Sequence, residues 1–115
     1  MSVTLYGIKN CDTVKKARKW LDANSVPYIF HDFRVDGINK TLVNNFLKQH
    51  NIETLINKRG TTWRKLSDEE KDIKNTTRAI TIMIENPAII KRPVLDVNKK
   101  YLVGFSDERY KSIKF

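Results

Sequence analysis

The chain has a single cysteine, Cys11, in the stretch VTLYGIKNCDTVKKARKWL (3–21). Four β-prone residues and Gly7 precede it, and Val14, Ala17 and Leu21 follow on one helical face. Cys11 therefore falls where a strand hands over to a helix. The first turn of a helix offers free N–H groups and the positive end of the dipole. Cysteines placed there titrate at about 3.5–7.5 instead of about 8.5. Lys9, Lys15 and Lys16 add positive charge, and Asp12 opposes it. The chemistry this implies is nucleophilic attack by sulfur. Three residues on stands Val14, not a second cysteine, so an oxidised Cys11 has no resolving thiol within the chain. Its relief must come from an external thiol, glutathione or a reductase protein, by mixed-disulfide exchange.

Two further segments carry side chains suited to anions. KRPV (91–94) places Arg92 and Pro93 just ahead of a β-prone run. KRGTTWRK (58–65) interleaves Arg59 and Arg64 with Trp63. Such a loop binds an anion or stacks on a base, or else its Trp anchors it to the core; the residues leave both readings open. Of its arginines, Arg59 ranks above Arg64 as a ligand-facing residue. His31 and His50 fall on an expected strand and helix with no partner at ligand spacing, and both read as structural. No metal-ligand cluster, phosphate-binding loop or Ser/His/Asp arrangement is present.

The elements that must position these residues follow from periodicity and punctuation. Val3–Tyr6 reads as a strand, the segment from Asn10 as a helix closed before Pro27, and Tyr28–Asp32 as a second strand. A second helix starts near Lys40, with Leu42, Val43, Phe46, Leu47 and His50 on its apolar side. Ile52–Ile56 is a short apolar patch, and NKRGTTWRKL a polar loop. SDEE (67–70) has the pattern of a capping box and predicts a short charged helix. Asn75–Glu85 continues helical and buries Ala79, Ile80, Met83 and Ile84 before Asn86–Pro87. Val94–Val97 and Tyr101–Val103 read as a hairpin, and Ser106 caps a last helix carrying Tyr110 and Ile113. The order βα–βα–(helical insert)–ββ–α is that of an α/β, thioredoxin-like fold. It predicts a mixed four-stranded sheet, flanked by helices, in one domain over 1–115 with a helical insertion at about 51–87. In that fold Pro93 is a cis-proline facing the cysteine. Arg92 then lies beside Cys11, where its guanidinium fork would stabilise the thiolate or clamp a carboxylate or oxyanion.

Composition bounds the setting. At 115 residues, 40% apolar and 30% charged, the chain suits one folded domain and not a disordered one. Its apolar runs of about four residues fall far short of the roughly 20 needed to span a bilayer. One cysteine cannot form an internal disulfide, so a reducing, cytoplasmic setting is expected. Lys and Arg number 22 against 13 Asp and Glu, a net charge of +9. Such a field attracts anions: nucleic acid, glutathione or an oxyanion.

With these pieces in place the chain resembles the arsenate reductase (ArsC)-like family of the thioredoxin-like superfamily. The likeness covers essentially the whole chain and rests on TLYGIKNCDTVKKARKWL, NKRGTTWRKL, PAIIKRPVLD and LVGFSDERY. It is similar in particular to the small bacterial branch of Spx/MgsR type, for which glutathione-dependent thiol reduction has been proposed. The resemblance implies that Cys11 is the catalytic nucleophile and that Arg92 precedes the cis-proline, Pro93. Arg59 falls near the first oxyanion arginine of the family, though an ungapped match puts Asn57 there. Gly104 stands where a third such arginine would be, and Gly7 where arsenate reductases carry a histidine. Losing a charged clamp weakens an arsenate site.

The implied activity is thus a glutathione-dependent thiol–disulfide reductase, an oxidoreductase with no bound cofactor or metal and glutathione as co-substrate. Its partners would be glutathione or a glutaredoxin- or thioredoxin-type reductant, and an oxidised thiol substrate. Arg92 would hold the thiolate or a glutathione carboxylate, with Asn10 and Pro93 shaping the substrate groove. One alternative is arsenate reduction, Cys11 attacking arsenic while Arg59 and Arg92 bind its oxygens. Another is an Spx-like regulator that binds RNA polymerase without catalysis. The regulators carry a CxxC switch, which this chain lacks, whereas the +9 charge suits a polymerase or nucleic acid.

Overall fold

A computed structural model describes residues 2–115. Strand β1 (Val3–Gly7) and strand β2 (Ile29–Asp32) are parallel, with Leu5 opposite Phe30 and Gly7 opposite Asp32. Helix α1 (Asp12–Ala23) makes the crossover and buries Val14, Ala17 and Leu21, the stripe its spacing predicts. It stops at Asn24, whose side-chain amide donates to the Trp20 carbonyl at 2.8 Å, ahead of Ser25 in the left-handed region at φ 54°. Strands β3 (Val94–Val97) and β4 (Lys100–Val103) form an antiparallel hairpin, one residue longer at β4 than the sequence suggests. Asn98 and Lys99 turn it with φ of 51° and 71°, the doubly left-handed geometry that suits strand twist. The Lys99 N–H donates to Asp96 Oδ1 at 2.8 Å and pins that turn. Since β3 also pairs antiparallel with β1, the sheet order is β2-β1-β3-β4. This is a thioredoxin-like sheet.

The residues up to Asp36, together with Arg92–Phe115, make up the first of two compact units. On one face of its sheet Val3, Leu5, Leu95 and Val97 pack with the α1 stripe and with Tyr110. Each fully buried aliphatic side chain there contributes about 1.5–3 kcal/mol. Tyr110 belongs to helix α6 (Asp107–Lys111), whose cap is Ser106 Oγ, accepting from the Arg109 N–H at 3.2 Å. Its ring meets Trp20 and Phe105 edge-on, at 5.4 and 4.7 Å between centroids.

The second unit, Gly37–Lys91, is helical. It holds α2 (Lys40–Leu47), α3 (Ile52–Leu55), α4 (Thr61–Arg64), α5 (Thr76–Glu85) and a 3-10 turn at Pro87–Ile89. Three of its helices open on an asparagine cap: Asn39, Asn51 and Asn75 accept from the N–H groups of Leu42, Thr54 and Arg78. Helix α2 packs on α5, and a bridge between Ile56 and Ile90 ties the end of α3 to the last residues of the unit.

Three local expectations change here. The apolar patch is helical over Ile52–Leu55, and the polar loop contains the turn of helix α4. Trp63 on α4 is only 8% exposed, which favours the anchor over the stacking platform, and Lys58 Nζ lies 5.9 Å from its ring centre. The SDEE segment forms both capping-box bonds, Ser67 N–H to Glu70 Oε1 at 3.0 Å and Glu70 N–H to Ser67 Oγ at 3.1 Å. No helix follows; the chain makes a turn only. Of the next four residues, Lys71, Asp72, Ile73 and Lys74, only Ile73 is buried, so no apolar face pays for propagating a helix.

Candidate active site

Gly7 ends β1 with its carbonyl held by the Phe33 N–H at 2.9 Å. A Cβ on Gly7 would stand 2.7 Å from Val14 Cγ2, so only glycine lets α1 approach the strand this closely. The loop from Ile8 to Cys11 is fixed at two points. The Cys11 N–H donates to the Ile8 carbonyl at 3.3 Å, and the Lys9 N–H donates to Asp32 Oδ2 at 3.2 Å. Asp32, only 7% exposed, is itself anchored. Its Oδ1 accepts from Arg34 N–H at 2.8 Å, and its own N–H donates to Asp36 Oδ2 at 2.9 Å. The end of β2 thus holds the loop that presents the cysteine.

Cys11 occupies the N-cap of α1 in extended backbone geometry (φ −103°, ψ 126°), and its carbonyl accepts the first helical bond, from Lys15. The Cys11 side chain makes no cap hydrogen bond of ordinary geometry. The N–H groups of Thr13 and Val14, the two positions an N-cap side chain would serve, still favour its thiolate. Partial burial pushes the thiol pKa up. That is outweighed by the Val14 N–H, by the hydrogen bond and positive charge of the Arg92 guanidinium, and by the Thr13 N–H. The net result is a Cys11 pKa below the ordinary cysteine value.

Arg92 reaches the sulfur from the loop before β3, and its peptide bond to the buried Pro93 is cis. The Gly104 N–H donates to the Pro93 carbonyl at 2.8 Å, tying that loop to the end of β4. Gly104 has φ +85°, a conformation that explains glycine there irrespective of any lost side chain. Asn10, exposed in the turn before Cys11, completes the group drawn together in the first unit. Arg59 belongs to the helical unit. It is exposed, and its N–H donates to Asn57 Oδ1 at 3.1 Å. His31 sits in an aromatic group with Tyr6 (4.9 Å) and Phe33 (6.1 Å). Among the described residues no three His, Cys, Asp or Glu side chains converge as metal ligands, and no helix is long and apolar enough to cross a membrane.

The pattern of residues singles out Cys11, Arg92 and Pro93, but not the supports beneath them. Gly7 registers only as a strand end, and Asp32 only as the last residue of β2. An aspartate at the C-terminal end of a parallel strand, beside a cysteine-bearing loop, is the signal present in the sequence.

A cysteine capping the first helix after β1, together with a cis-proline ahead of β3, defines a thioredoxin-like protein built around one thiol. The sequence model of the ArsC family matches residues 6–113, and the chain belongs to that family. It is similar to the YffB protein, whose solved structure is 42% identical, with a TM-score of 0.91 over 96% of this chain and 97% of that one. An arsenate reductase (ArsC) related protein from Brucella melitensis is 43% identical, with a TM-score of 0.78 over 97% of this chain and 93% of its own. The global transcriptional regulator Spx 2 of Lactococcus lactis is 29% identical across 96% of this chain and 84% of the regulator.

Proposed function

We propose that the protein is a single-cysteine, glutathione-dependent thiol reductase. The observation that carries this reading is the environment of Cys11: a sulfur at the N-cap of α1 whose pKa is lowered by two helix N–H groups and the Arg92 guanidinium, in a chain with no second cysteine. The Cys11 thiolate attacks the glutathione sulfur of a glutathionylated thiol. The S–S bond breaks, the substrate leaves as a thiolate and takes a proton, and Cys11 carries glutathione as a mixed disulfide. A second glutathione thiolate attacks that disulfide, releasing glutathione disulfide and restoring the Cys11 thiolate. The net reaction consumes one glutathione: the substrate sulfur goes from disulfide to thiol, and the glutathione it carried leaves paired with the second as glutathione disulfide. Arg92 keeps the sulfur ionised before attack and as leaving group, where a low thiol pKa speeds departure. Pro93 and Asn10 bound the groove that receives the substrate.

Arsenate reduction has less support, because Gly104 offers no side chain where a third oxyanion arginine would stand. The likeness to the Spx regulators and the +9 charge favour a second reading, a regulator that binds RNA polymerase. The test is the mass of Cys11 after exposure to glutathione disulfide, and turnover of a glutathionylated peptide by wild type and Cys11→Ser. A glutathione adduct on Cys11, with turnover abolished in the variant, is expected. Absence of both, together with polymerase capture that survives Cys11→Ser, would replace the enzyme with the regulator.

A further inference from the structure

Building on the thiol-reductase reading, we infer that Arg109 is a second anion-binding arginine of the groove and holds a carboxylate of the thiol peptide engaged by Cys11. The contacts that place it run without a break through the first unit. The Arg92 guanidinium bonds the Cys11 sulfur, and Arg92 is joined to Pro93. The Pro93 carbonyl accepts from Gly104, and Arg109 Nη1 lies 3.7 Å from the point a Gly104 Cβ would occupy. Gly104 has no side chain to cover the main chain there, so the guanidinium rests against it.

Arg109 is held but not neutralised. Its Nη1 donates to the Val103 carbonyl at 2.9 Å, which fixes the plane of the group without supplying a charge. The two carboxylates beside it on α6 do not pair with it. Asp107 is taken by Lys111 at 3.0 Å and by the Trp20 indole N–H at 2.7 Å, and Glu108 forms no ion pair among the described residues. The rest of the fork is left exposed to solvent. A planar guanidinium with one nitrogen anchored and the others open matches a carboxylate in geometry and in charge.

The ligand chemistry follows from this placement. Arg92 is committed to the sulfur, so a second cation reached across Pro93 and Gly104 meets a part of the ligand remote from the reacting atom. A γ-linked tripeptide thiol such as glutathione extends roughly 10 Å end to end and carries a carboxylate at each end. A small thiol without a carboxylate offers Arg109 no anion to hold. The residue thus sets which thiol is accepted and leaves the exchange chemistry to Cys11 and Arg92.

The experiment compares three disulfide substrates of one peptide, whose cysteine carries glutathione, its diester or 2-mercaptoethanol, each attacked by Cys11 with the reductant held constant. Each is measured on wild type, Arg109→Gln and Arg109→Lys. With wild type the diester is expected to react with a KM roughly tenfold above that of glutathione, a difference of about 1.4 kcal/mol. In Arg109→Gln glutathione should weaken to the diester's level with kcat little altered, while 2-mercaptoethanol stays as in wild type. Arg109→Lys should recover part of the loss. The ester comparison uses the unaltered protein, so it decides the matter even where Arg109→Gln folds poorly. Equal losses for all three substrates, or no difference between glutathione and its diester on wild type, would overturn the assignment to Arg109 while leaving the reductase intact. A wild-type Cys11 that forms no glutathione mixed disulfide would overturn both.

Discussion

Gly7→Ala tests whether the close approach of α1 to β1 sets both stability and thiol chemistry. The added Cβ would meet Val14 Cγ2 at 2.7 Å and Cγ1 at 3.3 Å, against ordinary carbon contacts of about 3.5–4.0 Å. Relief needs movement close to the shortfall of about 1 Å. Val14 is fully buried, and a valine in a helix has essentially one side-chain rotamer, so it cannot swing away. Gly7 is fixed by the Phe33 N–H and by its pairing with β2, so the helix end must give. Overpacking of this kind costs about 1–3 kcal/mol. With an unfolding entropy of about 2.1 cal/mol/K per residue, that lowers Tm by roughly 4–12 °C for this chain. The same shift draws the Val14 N–H off the Cys11 sulfur, so alkylation of Cys11 near neutral pH slows. Val14→Ala removes both clashing carbons but keeps the N–H, and alone costs about 2 kcal/mol for the two lost methyl groups and the void. In the double variant the methyl introduced at position 7 enters that void. Denaturant titration should then show a coupling of about 1–3 kcal/mol in favour of the pair, with alkylation restored. A Gly7→Ala protein within about 0.5 kcal/mol of wild type, or strict additivity, would refute the steric argument.

Two further outcomes are expected. Because the folded pKa of Cys11 is lowered, its ionisation contributes stability that is fully present above the unfolded value of about 8.5 and is lost as pH falls through the folded value. The stability gap between wild type and Cys11→Ser, measured by urea unfolding, should widen from about pH 6 towards about pH 9; a flat or narrowing gap counts against the thiolate environment described above. Asp32→Ala leaves the Lys9 and Arg34 N–H groups without their acceptor and should cost about 1–3 kcal/mol, with faster hydrogen exchange at both amides. Asp32→Asn, which retains one oxygen acceptor, should lose less.

The parts of the fold legible from sequence are those in which a strong period meets a strong stop. The α1 stripe ends before Pro27, β1 ends at Gly7, and Asn98 marks the hairpin. Cys11 is legible because it stands where a strand's alternation gives way to a helical period. Elements of four residues, α3 and α4, are too short to show any period. The SDEE box shows the opposite failure: every capping bond is present, yet no apolar face exists to continue the helix. Burial of Trp63 cannot be read from its neighbours, since the same basic, aromatic loop suits a ligand platform equally well. Gly104 reads from sequence as a missing arginine. Its φ of +85° and its bond to Pro93 show a backbone requirement that a comparison of side chains does not register.

Val14 shows why the single-thiol arrangement is built into the packing. It stands where a CxxC protein places its second sulfur, and it meets two demands there. Its N–H is the strongest of the groups lowering the Cys11 pKa, and its branched side chain closes the space above Gly7. A cysteine at this position would keep the N–H but lose one of the two Cγ atoms that seat α1 on β1. The resulting gap cannot be filled from the strand side, because Gly7 contributes no side chain. Introducing a resolving thiol with Val14→Cys is therefore expected to cost roughly 1 kcal/mol for the lost methyl, before any redox chemistry begins. Recovering that loss requires a side chain at position 7, which in the presence of Val14 is sterically closed. The two residues change favourably only together, and that coupling holds the chain to one sulfur at this turn.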